Sequence, residues 1–278
     1  MFKEYSVQGG GGLNLKVKQW GDQSGMPILF IHGWSQSHMC WSYQYLAEEL
    51  QKYRLVAFDL RGHGSSDAPQ GEHFYTDGRL WAEDVNTIIT QLSMEEPVLV
   101  GWSFGGIVIT DYLKSFGDGN ISGVNFVGAA IQLNESAMGT LIGPGLLDHF
   151  EGATSEDKSI HTVAMKKFLK GCFSVPLSEL DFKQALKWNL DVRPDVRLAL
   201  TSRDVDASKT VNRIKVPILI TQGTSDTIVL PAMAEAIMAN APKSSTSWFE
   251  GIGHAPFLED SARFNKELED FTVLCKGG

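Results

Sequence analysis

The sequence has little of what metal-binding, disulfide-stabilised, nucleic-acid-binding or membrane-spanning proteins require. Its three cysteines, Cys40, Cys172 and Cys275, are widely spaced and match neither a metal-ligand pattern nor a disulfide framework. Basic residues number 24 against 33 acidic ones, and no Lys/Arg cluster offers a face for nucleic acid or anionic lipid. No stretch approaches the roughly 18 apolar residues of a membrane span. We therefore expect no metal, no cofactor and no nucleic-acid partner.

The location of the protein is predicted from the same absences. The first five residues lack the apolar run of a secretory signal. Dispersed cysteines without a framework are typical of reduced thiols. Both features favour a cytoplasmic protein, and 278 residues with 43% hydrophobic content are ample for a full core. The sequence carries no signature of oligomeric state.

Two kinds of strand are predicted along the chain. In the first twenty residues, Leu13, Leu15 and Val17 alternate with polar residues, which is typical of a half-exposed strand in a hairpin. Later runs are almost continuously apolar, as in strands buried on both faces of a parallel sheet. These runs cover residues 27–31, 55–58, 97–100, 124–127 and 217–220. Helical patterns lie between them, so we predict an α/β fold with a doubly wound, mostly parallel sheet.

One segment interrupts the alternation of strands and helices. Between Gln132 and Asn212 no run resembles a strand, and helical stretches are predicted near 139–150, 159–169, 177–188 and 194–201. About eighty residues of helix is too long for a simple crossover. We therefore predict a core formed by residues 1–131 and 213–278, with residues 132–212 inserted as a helical cap.

Ser103 is the candidate nucleophile. It is central in the pentapeptide Gly-Trp-Ser-Phe-Gly at 101–105, which follows an apolar strand and precedes a helical pattern. Such a strand–turn–helix presents a serine hydroxyl on a sharp turn, with glycines where strand and helix approach closely. The alternative is a glycine-rich turn without chemistry, and the flanking elements favour the nucleophile.

An acid and a base are expected at the same edge of the sheet. Asp226 follows the apolar run 217–220, and His254 follows the last predicted strand. Functional residues of a doubly wound sheet collect at the carboxyl ends of its strands. His254 would take the serine proton, and Asp226 would hold the imidazole tautomer. Asp204 and Asp206 are the rival acids, although they precede the strand.

Taken together, these motifs resemble those of the α/β-hydrolase family from Gly21 to the C-terminus. The shared motifs are, in order, His32-Gly33, residues 61–66, the serine turn, Gly223 with Asp226, and Gly253-His254. The narrower resemblance is to capped serine esterases of the cofactor-free haloperoxidase and arylesterase subgroup, in which a proline commonly follows the tryptophan and Ser35 stands here. The resemblance implies a Ser103, Asp226, His254 triad. A serine nucleophile excludes the dehalogenase and epoxide hydrolase chemistries of the family, which need a carboxylate.

Two further groups of residues complete the predicted site. The backbone N–H groups of Trp34 and Phe104 are expected to bind the oxyanion of a tetrahedral intermediate. The pocket above Ser103 is expected to be apolar, as ligand sites usually are. The lining residues we predict are Met138, Phe150, Phe168 and Phe257.

The predicted function is hydrolysis of small to medium apolar carboxylic esters through an acyl-enzyme on Ser103. The same triad would also serve a perhydrolase, a lactonase or a carbon–carbon bond hydrolase. An alternative from another class is a ligand receptor on this fold, which would bind without significant turnover.

Overall fold

The computed structural model of the chain describes residues 2–277 and contains one large and one small β-sheet. Eight strands form the large sheet, and two strands of two residues form the small one. The strands are β1 (Lys3–Gln8), β2 (Asn14–Gly21), β3 (Pro27–Ile31), β4 (Arg54–Phe58), β5 (Val98–Trp102), β6 (Gly123–Val127), β7 (Gln132–Leu133), β8 (Val205–Asp206), β9 (Ile218–Gly223) and β10 (Ser245–Phe249).

Helices follow most of these strands and cover both faces of the large sheet. The α-helices are α1 (Ser42–Tyr45), α2 (His73–Thr76), α3 (Gly78–Gln91), α4 (Phe104–Phe116), α5 (Pro144–Leu147), α6 (Phe150–Ala153), α7 (Lys158–Gly171), α8 (Glu179–Asp191), α9 (Pro194–Thr201), α10 (Ser208–Val211), α11 (Pro231–Asn240), α12 (Pro256–Glu259) and α13 (Ser261–Lys276). Short 3-10 turns lie at Gly10–Gly12, His38–Trp41, Glu48–Leu50 and Glu135–Ala137.

The strand order of the large sheet is β1-β2-β4-β3-β5-β6-β9-β10. β1 and β2 pair antiparallel, as does β2 with β4, and all the remaining pairs are parallel. The predicted doubly wound, mostly parallel sheet is therefore confirmed. The chain leaves β3 for β4 on one side and returns to β5 on the other. Ligands of open α/β sheets bind at such a switch point, outside the carboxyl ends of the strands.

The central strands bury side chains on both faces, which explains their continuous apolar sequences. In β3, Leu29 and Ile31 enter one hydrophobic core, whereas Ile28 and Phe30 enter the other. The first core lies under α3, α4 and the cap segment, by which we mean residues 132–212. The second core lies under α1, α12 and α13. A residue's place in one core or the other therefore decides which side of the sheet it can serve.

The cap segment differs from its prediction in two details. It contains a strand pair, β7 with β8, because two-residue strands are too short to leave an apolar run in the sequence. The single helical stretch predicted near 139–150 is broken into α5 and α6. Gly139 has a φ of 77°, which is outside helical geometry, so the first helix begins only at Pro144. Residues 148 and 149 then separate α5 from α6. The division into core and cap stays a prediction.

The described residues also answer three points raised by the composition. No helix within residues 2–277 is both long and apolar enough to cross a membrane. All three cysteines are buried and unpaired. No group of three or more metal-ligating side chains is assembled within the same residues.

Candidate active site

Ser103 lies at the switch point, on the turn between β5 and α4. Its backbone has φ 56° and ψ −119°, a region that non-glycine residues rarely adopt and that costs on the order of 1–3 kcal/mol. Two backbone hydrogen bonds join Ser103 to the end of β6 and the loop that follows it. Ser103 N–H donates to Val127 O at 3.0 Å, and Ser103 O accepts from Ala130 N at 3.0 Å. A Cβ on Gly105 would lie 2.5 Å from Ile31 O, so the approach of α4 to β3 requires glycine there.

Asp226 and His254 form a buried pair at the carboxyl ends of β9 and β10. His254 Nδ1 lies 2.7 Å from Asp226 Oδ2, and both side chains are almost fully buried. Asp226 Oδ1 accepts from the backbone N–H groups of Ile228 at 2.8 Å and Val229 at 3.0 Å. Gln222 Nε2 donates to Oδ2 at 3.1 Å. Because all of these contacts use the carboxyl oxygens as acceptors, we assign His254 Nδ1 as the donor to Asp226 Oδ2, and Nε2 is the ring nitrogen left for a substrate or for Ser103.

Ser103 and the Asp226–His254 pair are tied together through their neighbours. Trp102 Nε1 donates to His254 O at 2.8 Å. The carbonyl oxygen that accepts from Ser103 N–H belongs to Val127. The next residue is Gly128, and a Cβ on Gly128 would lie 3.2 Å from His254 Nδ1. Ser103 Oγ and His254 share no hydrogen bond in the described part of the chain. Such bonds are often long in unliganded enzymes and tighten with substrate.

Trp34 and Phe104 are both buried residues, and the backbone N–H of neither donates a hydrogen bond within residues 2–277. Phe104 is the first residue of α4, where N–H groups have no acceptor in the helix. The Gly33 carbonyl accepts from His32 Nδ1 at 2.8 Å and from Gln36 N at 3.3 Å. Because the peptide is trans, the Trp34 N–H points away from those partners. A Cβ on Gly33 would lie 3.5 Å from Ser103 Oγ, so Gly33 lies directly beside the serine.

Two other histidines support the loops of the site. His32 Nε2 accepts from Leu60 N at 3.0 Å, and His63 donates from Nδ1 to Arg61 O at 2.9 Å while its Nε2 accepts from Ser35 N at 3.1 Å. Each ring thus uses both nitrogens as a neutral imidazole. Burial lowers the pKa of His32 to about 3 and that of His63 to about 4. Both rings therefore serve as supports for the loops that carry them.

Asp59 ties the neighbouring loops together. Its Oδ1 accepts from the backbone N–H of His38 at 2.9 Å and lies 2.7 Å from His38 Nδ1. Its Oδ2 accepts from Ser65 N at 2.9 Å. Burial alone would raise the pKa of Asp59, but the hydrogen bonds and the nearby imidazoles lower it to about 2.

A narrow apolar cavity of about 30 Å³ opens onto Ser103. Only Trp34, Ser103 and Thr201 bring polar side-chain atoms to its wall. Trp34 Nε1 and Thr201 Oγ1 both donate to the carbonyl oxygen of Arg197 at 3.1 Å. Among the side chains that line the cavity, the Ser103 hydroxyl is therefore the one donor that is not already used within residues 2–277. The other lining residues are Phe104, Ile107, Ala130, Leu133, Ile142, Leu146, Phe168, Ile228 and Val229.

Of the four residues predicted to line the pocket, the structure places only Phe168 in this cavity, where its ring meets Trp34 edge-on at 5.0 Å. The prediction for Phe257 is wrong because α12 turns it into the second core, against Trp41 and Trp102. Phe150 packs against the first core away from the cavity wall. Met138 borders an open groove between α9 and the 3-10 turn at 135–137 instead.

Sequence reasoning missed three supporting residues. Gln222 donates a hydrogen bond to Asp226. The only sequence feature that could have pointed to it is a polar residue at the end of a buried strand. Glu259 accepts hydrogen bonds from the backbone N–H groups of Gly253 and Ala255, on either side of His254. Arg197 is a fully buried residue of α9. Its only trace in the sequence is a charged residue between the apolar residues Val196 and Leu198. The rival acids Asp204 and Asp206 do not contact His254.

The comparisons with known proteins bear on the family and the fold. A family model described as "Alpha/beta hydrolase family" matches residues 28–267. A Burkholderia cenocepacia protein, provisionally named an aryl esterase, shares 35% identity over 99% of this chain and 100% of its own, with a TM-score of 0.94. Esterase RhEst1 from Rhodococcus sp. ECU1013 shares 34% identity over 97% of this chain and 98% of its own, with a TM-score of 0.91. A non-heme chloroperoxidase of Streptomyces lividans is 26% identical over 94% of this chain and 96% of its own length.

Proposed function

The chain belongs to the α/β hydrolase family, and from that premise we propose that it is a serine hydrolase that cleaves carboxylic esters through an acyl-enzyme on Ser103. The observation that carries the proposal is the Asp226–His254 hydrogen bond of 2.7 Å at the switch point where Ser103 stands on its strained turn. The esterase names of two similar structures support the same class of substrate.

In the proposed acylation step, Ser103 Oγ attacks the ester carbonyl carbon while His254 Nε2 takes the serine proton. The carboxylate of Asp226 holds the Nδ1–H tautomer and stabilises the imidazolium that forms. The N–H groups of Trp34 and Phe104 bind the oxyanion of the tetrahedral intermediate, and Phe104 adds the positive end of the α4 dipole. His254 then returns its proton to the alcohol as the ester bond breaks.

Deacylation repeats these roles with water as the nucleophile. His254 removes a proton from water, the hydroxide oxygen bonds to the acyl carbon, and the Ser103 ester bond breaks with its proton restored by His254. None of these steps calls on a metal ion, so activity should persist in excess EDTA. A large loss that a divalent cation restores would contradict this prediction.

The lining and the volume of the cavity suggest the polarity and the size of the acyl group in a preferred substrate. The side chains that line the cavity are apolar apart from Ser103 and from Trp34 and Thr201, whose donors already bind Arg197 O, so a charged acyl chain would lose its water without gaining a side-chain partner. A volume of about 30 Å³ accommodates only a small acyl group unless the lining side chains move. We propose short apolar acyl esters as the preferred substrates, with longer chains accepted at lower efficiency.

The proposal is tested by active-site labelling together with turnover. A fluorophosphonate should add the mass of one reagent at Ser103, and the p-nitrophenyl ester series from acetate to decanoate should be hydrolysed with a preference for short acyl chains. Ser103→Ala should abolish both labelling and turnover. Ser136→Ala, an exposed serine of the cap segment, should change neither.

Three outcomes would overturn the proposal. Labelling at another residue or near-normal turnover in Ser103→Ala would exclude the nucleophile. Binding of esters without turnover would favour the ligand receptor. Hydrolysis restricted to lactones or to carbon–carbon bonds would keep the triad and change the substrate class.

A second candidate activity is perhydrolysis, in which hydrogen peroxide replaces water in deacylation and releases a peracid. The observation that favours it is the similarity to a non-heme chloroperoxidase over 94% of the chain. Both activities would pass through the same acyl-enzyme. Peracid formation that grows with peroxide concentration at the expense of free acid, and that disappears in Ser103→Ala, would identify it.

A further inference from the structure

Arg197, in α9 of the cap segment, forms hydrogen bonds with two residues of the loop after β3, Trp34 and Ser35. Arg197 Nε donates to Ser35 Oγ at 2.6 Å. The carbonyl oxygen of the same residue accepts from Trp34 Nε1 at 3.1 Å. Trp34 carries one of the two backbone N–H groups proposed to bind the oxyanion. The position of this N–H is therefore coupled, through two hydrogen bonds, to a helix residue that is 162 positions from Ser35 in the sequence.

Arg197 is an unusual residue to bury. Its side chain is fully inaccessible, and none of its hydrogen-bond partners within residues 2–277 is a carboxylate. Its other N–H groups donate to Ala153 O at 3.0 Å, to Asn189 O and to His161 Nε2. Burial lowers the pKa of Arg197 to about 10, so the guanidinium stays charged at neutral pH. Burying a cation without a counter-charge costs several kcal/mol, and an apolar side chain of similar size would avoid this cost.

Ser35 is itself strained. It has a φ of 61°, although it is not a glycine. Such a conformation persists only where surrounding contacts determine it. Those contacts are the hydrogen bond from Arg197, the Ser35 N–H donated to His63 Nε2 at 3.1 Å, and the Ser35 hydroxyl donated to Asn189 O at 3.3 Å. The loop would otherwise relax, and the peptide plane of Trp34 would turn with it.

We propose that Arg197 is a positioning residue for oxyanion stabilisation. It fixes the Trp34–Ser35 loop from the cap segment, so that the Trp34 N–H stays aimed at the carbonyl oxygen of a substrate on Ser103. Arg197 itself does not line the cavity and does not touch the substrate. This role rests on the proposed ester hydrolysis and adds a device by which the cap segment controls the chemical step.

Two variants test the role. Arg197→Lys keeps the charge but removes the Nε donor to Ser35, and Ser35→Ala removes the acceptor while leaving Arg197 in place. Each should lower kcat roughly 10-fold, less than the loss of a whole oxyanion donor, with KM within about twofold. A trifluoromethyl ketone, which forms a hemiketal oxyanion with Ser103, should bind more weakly by the same factor as the loss in kcat/KM.

The matched control is Arg193→Met. Arg193 lies directly before α9 but binds Ala68 O and Pro69 O, away from the Trp34–Ser35 loop. It should leave the affinity for the ketone unchanged. Active sites are counted by fluorophosphonate titration, so that a loss of folded protein is separated from a change in each site.

The outcomes separate this inference from the proposed function. Wild-type kcat and ketone affinity in a folded Ser35→Ala or Arg197→Lys variant would overturn the positioning role. Activity lost only in proportion to titrated sites, with unchanged ketone affinity, would also overturn it by showing a purely structural role. Absence of Ser103-dependent ester turnover in the wild-type protein would overturn the proposed function, and the positioning role with it.

Discussion

The buried histidines around Ser103 differ in how many of their ring nitrogens are already used. His32 and His63 each donate from Nδ1 to a carbonyl oxygen and accept a backbone N–H at Nε2. His254 binds Asp226 through Nδ1, and its Nε2 makes no hydrogen bond within residues 2–277. A general base needs a nitrogen with an unused lone pair. This difference is the physical reason for proposing His254, and not its neighbours, as the base.

The first prediction concerns the coupling of Asp226 and His254. Asp226→Asn should reduce kcat by as much as about 10⁴-fold because the amide can hold the wrong imidazole tautomer. His254→Ala should cost a similar factor, and the double variant should be little worse than the poorer single one, since residues that act as a unit lose activity non-additively. Steady-state kinetics on one activated ester measure all three. Multiplicative losses would show that the two residues act separately.

The second prediction concerns Glu259, whose carboxylate accepts hydrogen bonds from backbone N–H groups of the cap segment and of the loop that carries His254. Its Oε2 binds Ser174 N at 2.7 Å and Val175 N at 2.9 Å in the cap segment, and Gly253 N at 3.2 Å beside His254. Glu259→Gln should lower the free energy of unfolding by about 1–3 kcal/mol, because an amide cannot accept all of these bonds. Urea unfolding measures it. Equal midpoints for this variant and for a Glu250→Gln control on the exposed loop would contradict the prediction.

At the scale of elements, the site depends on how closely α4 approaches the sheet. The helix begins directly after Ser103, so its first turn lies against the ends of β3 and β5. Glycines at 101 and 105 permit this approach, because Cβ atoms there would lie 2.6 Å from Ile109 Cδ1 and 2.5 Å from Ile31 O. The same approach brings the Phe104 N–H toward the Trp34 loop. Packing and the proposed oxyanion site are thus one structural feature.

The third prediction tests this approach with an added methyl group. Gly105→Ala should lower both stability and kcat, because the obstructing atom is a backbone carbonyl that cannot move aside. We expect at least about 1–3 kcal/mol of destabilisation, the usual cost of overpacking. Gly119→Ala is the control, since a Cβ at that position would meet no other part of the described chain within 4 Å. Thermal melts and ester kinetics compare them, and similar behaviour of both variants would refute the packing argument.

The fourth prediction concerns helix α7 and its neighbour α6. Phe168 of α7 lines the cavity, whereas Phe150 of α6 does not. Phe168→Ala should therefore shift the preference among p-nitrophenyl esters toward longer acyl chains. Phe150→Ala removes the same side chain outside the cavity and should keep the wild-type order of substrates. The ratio of kcat/KM for octanoate to that for acetate measures the effect, and a shift in the Phe150 variant alone would reverse the assignment.

At the scale of the whole molecule, the pH dependence of stability is set by groups that the fold buries. The pKa values of His32 and His63 fall from 6.5, their value in the unfolded chain, to about 3 and about 4 in the folded protein. Between these values the unfolded state binds more protons, so folding becomes less favourable as the pH falls. Asp111 acts in the opposite sense below about pH 6, because burial raises its pKa to about that value.

The fifth prediction follows from these shifts. The free energy of unfolding should be highest above about pH 6.5 and should decrease toward about pH 4.5, by up to about 1.4 kcal/mol per pH unit for each histidine. Asp111→Asn should steepen the decrease by removing the opposing group. Urea titrations at several pH values measure it, with His73→Gln as an exposed control that keeps the wild-type slope. A stability that stays constant over this acidic range would contradict the argument.

Much of the fold could be predicted from the sequence because its signals are local. A strand buried on both faces is apolar at most positions, and this holds for β3, β4, β5, β6 and the first half of β9. Parallel strands place their carboxyl ends at one edge, so the loops bearing Ser103, Asp226 and His254 were expected together. The place of Asp226 after a strand favours it over Asp204 and Asp206, and Asp226 makes the hydrogen bond to His254.

Only the tertiary structure decided which side chains share a space. Phe168 and Phe257 are both apolar residues of helices, yet one faces the cavity and the other lies beneath the sheet. An amphipathic pattern shows that a helix buries a face and not which core receives it. The contact between Arg197 and Ser35 has no sequence pattern at all, because it joins two segments that only the folded chain brings together. Local periodicity comes from backbone geometry, whereas such contacts come from the packing of elements distant in the sequence.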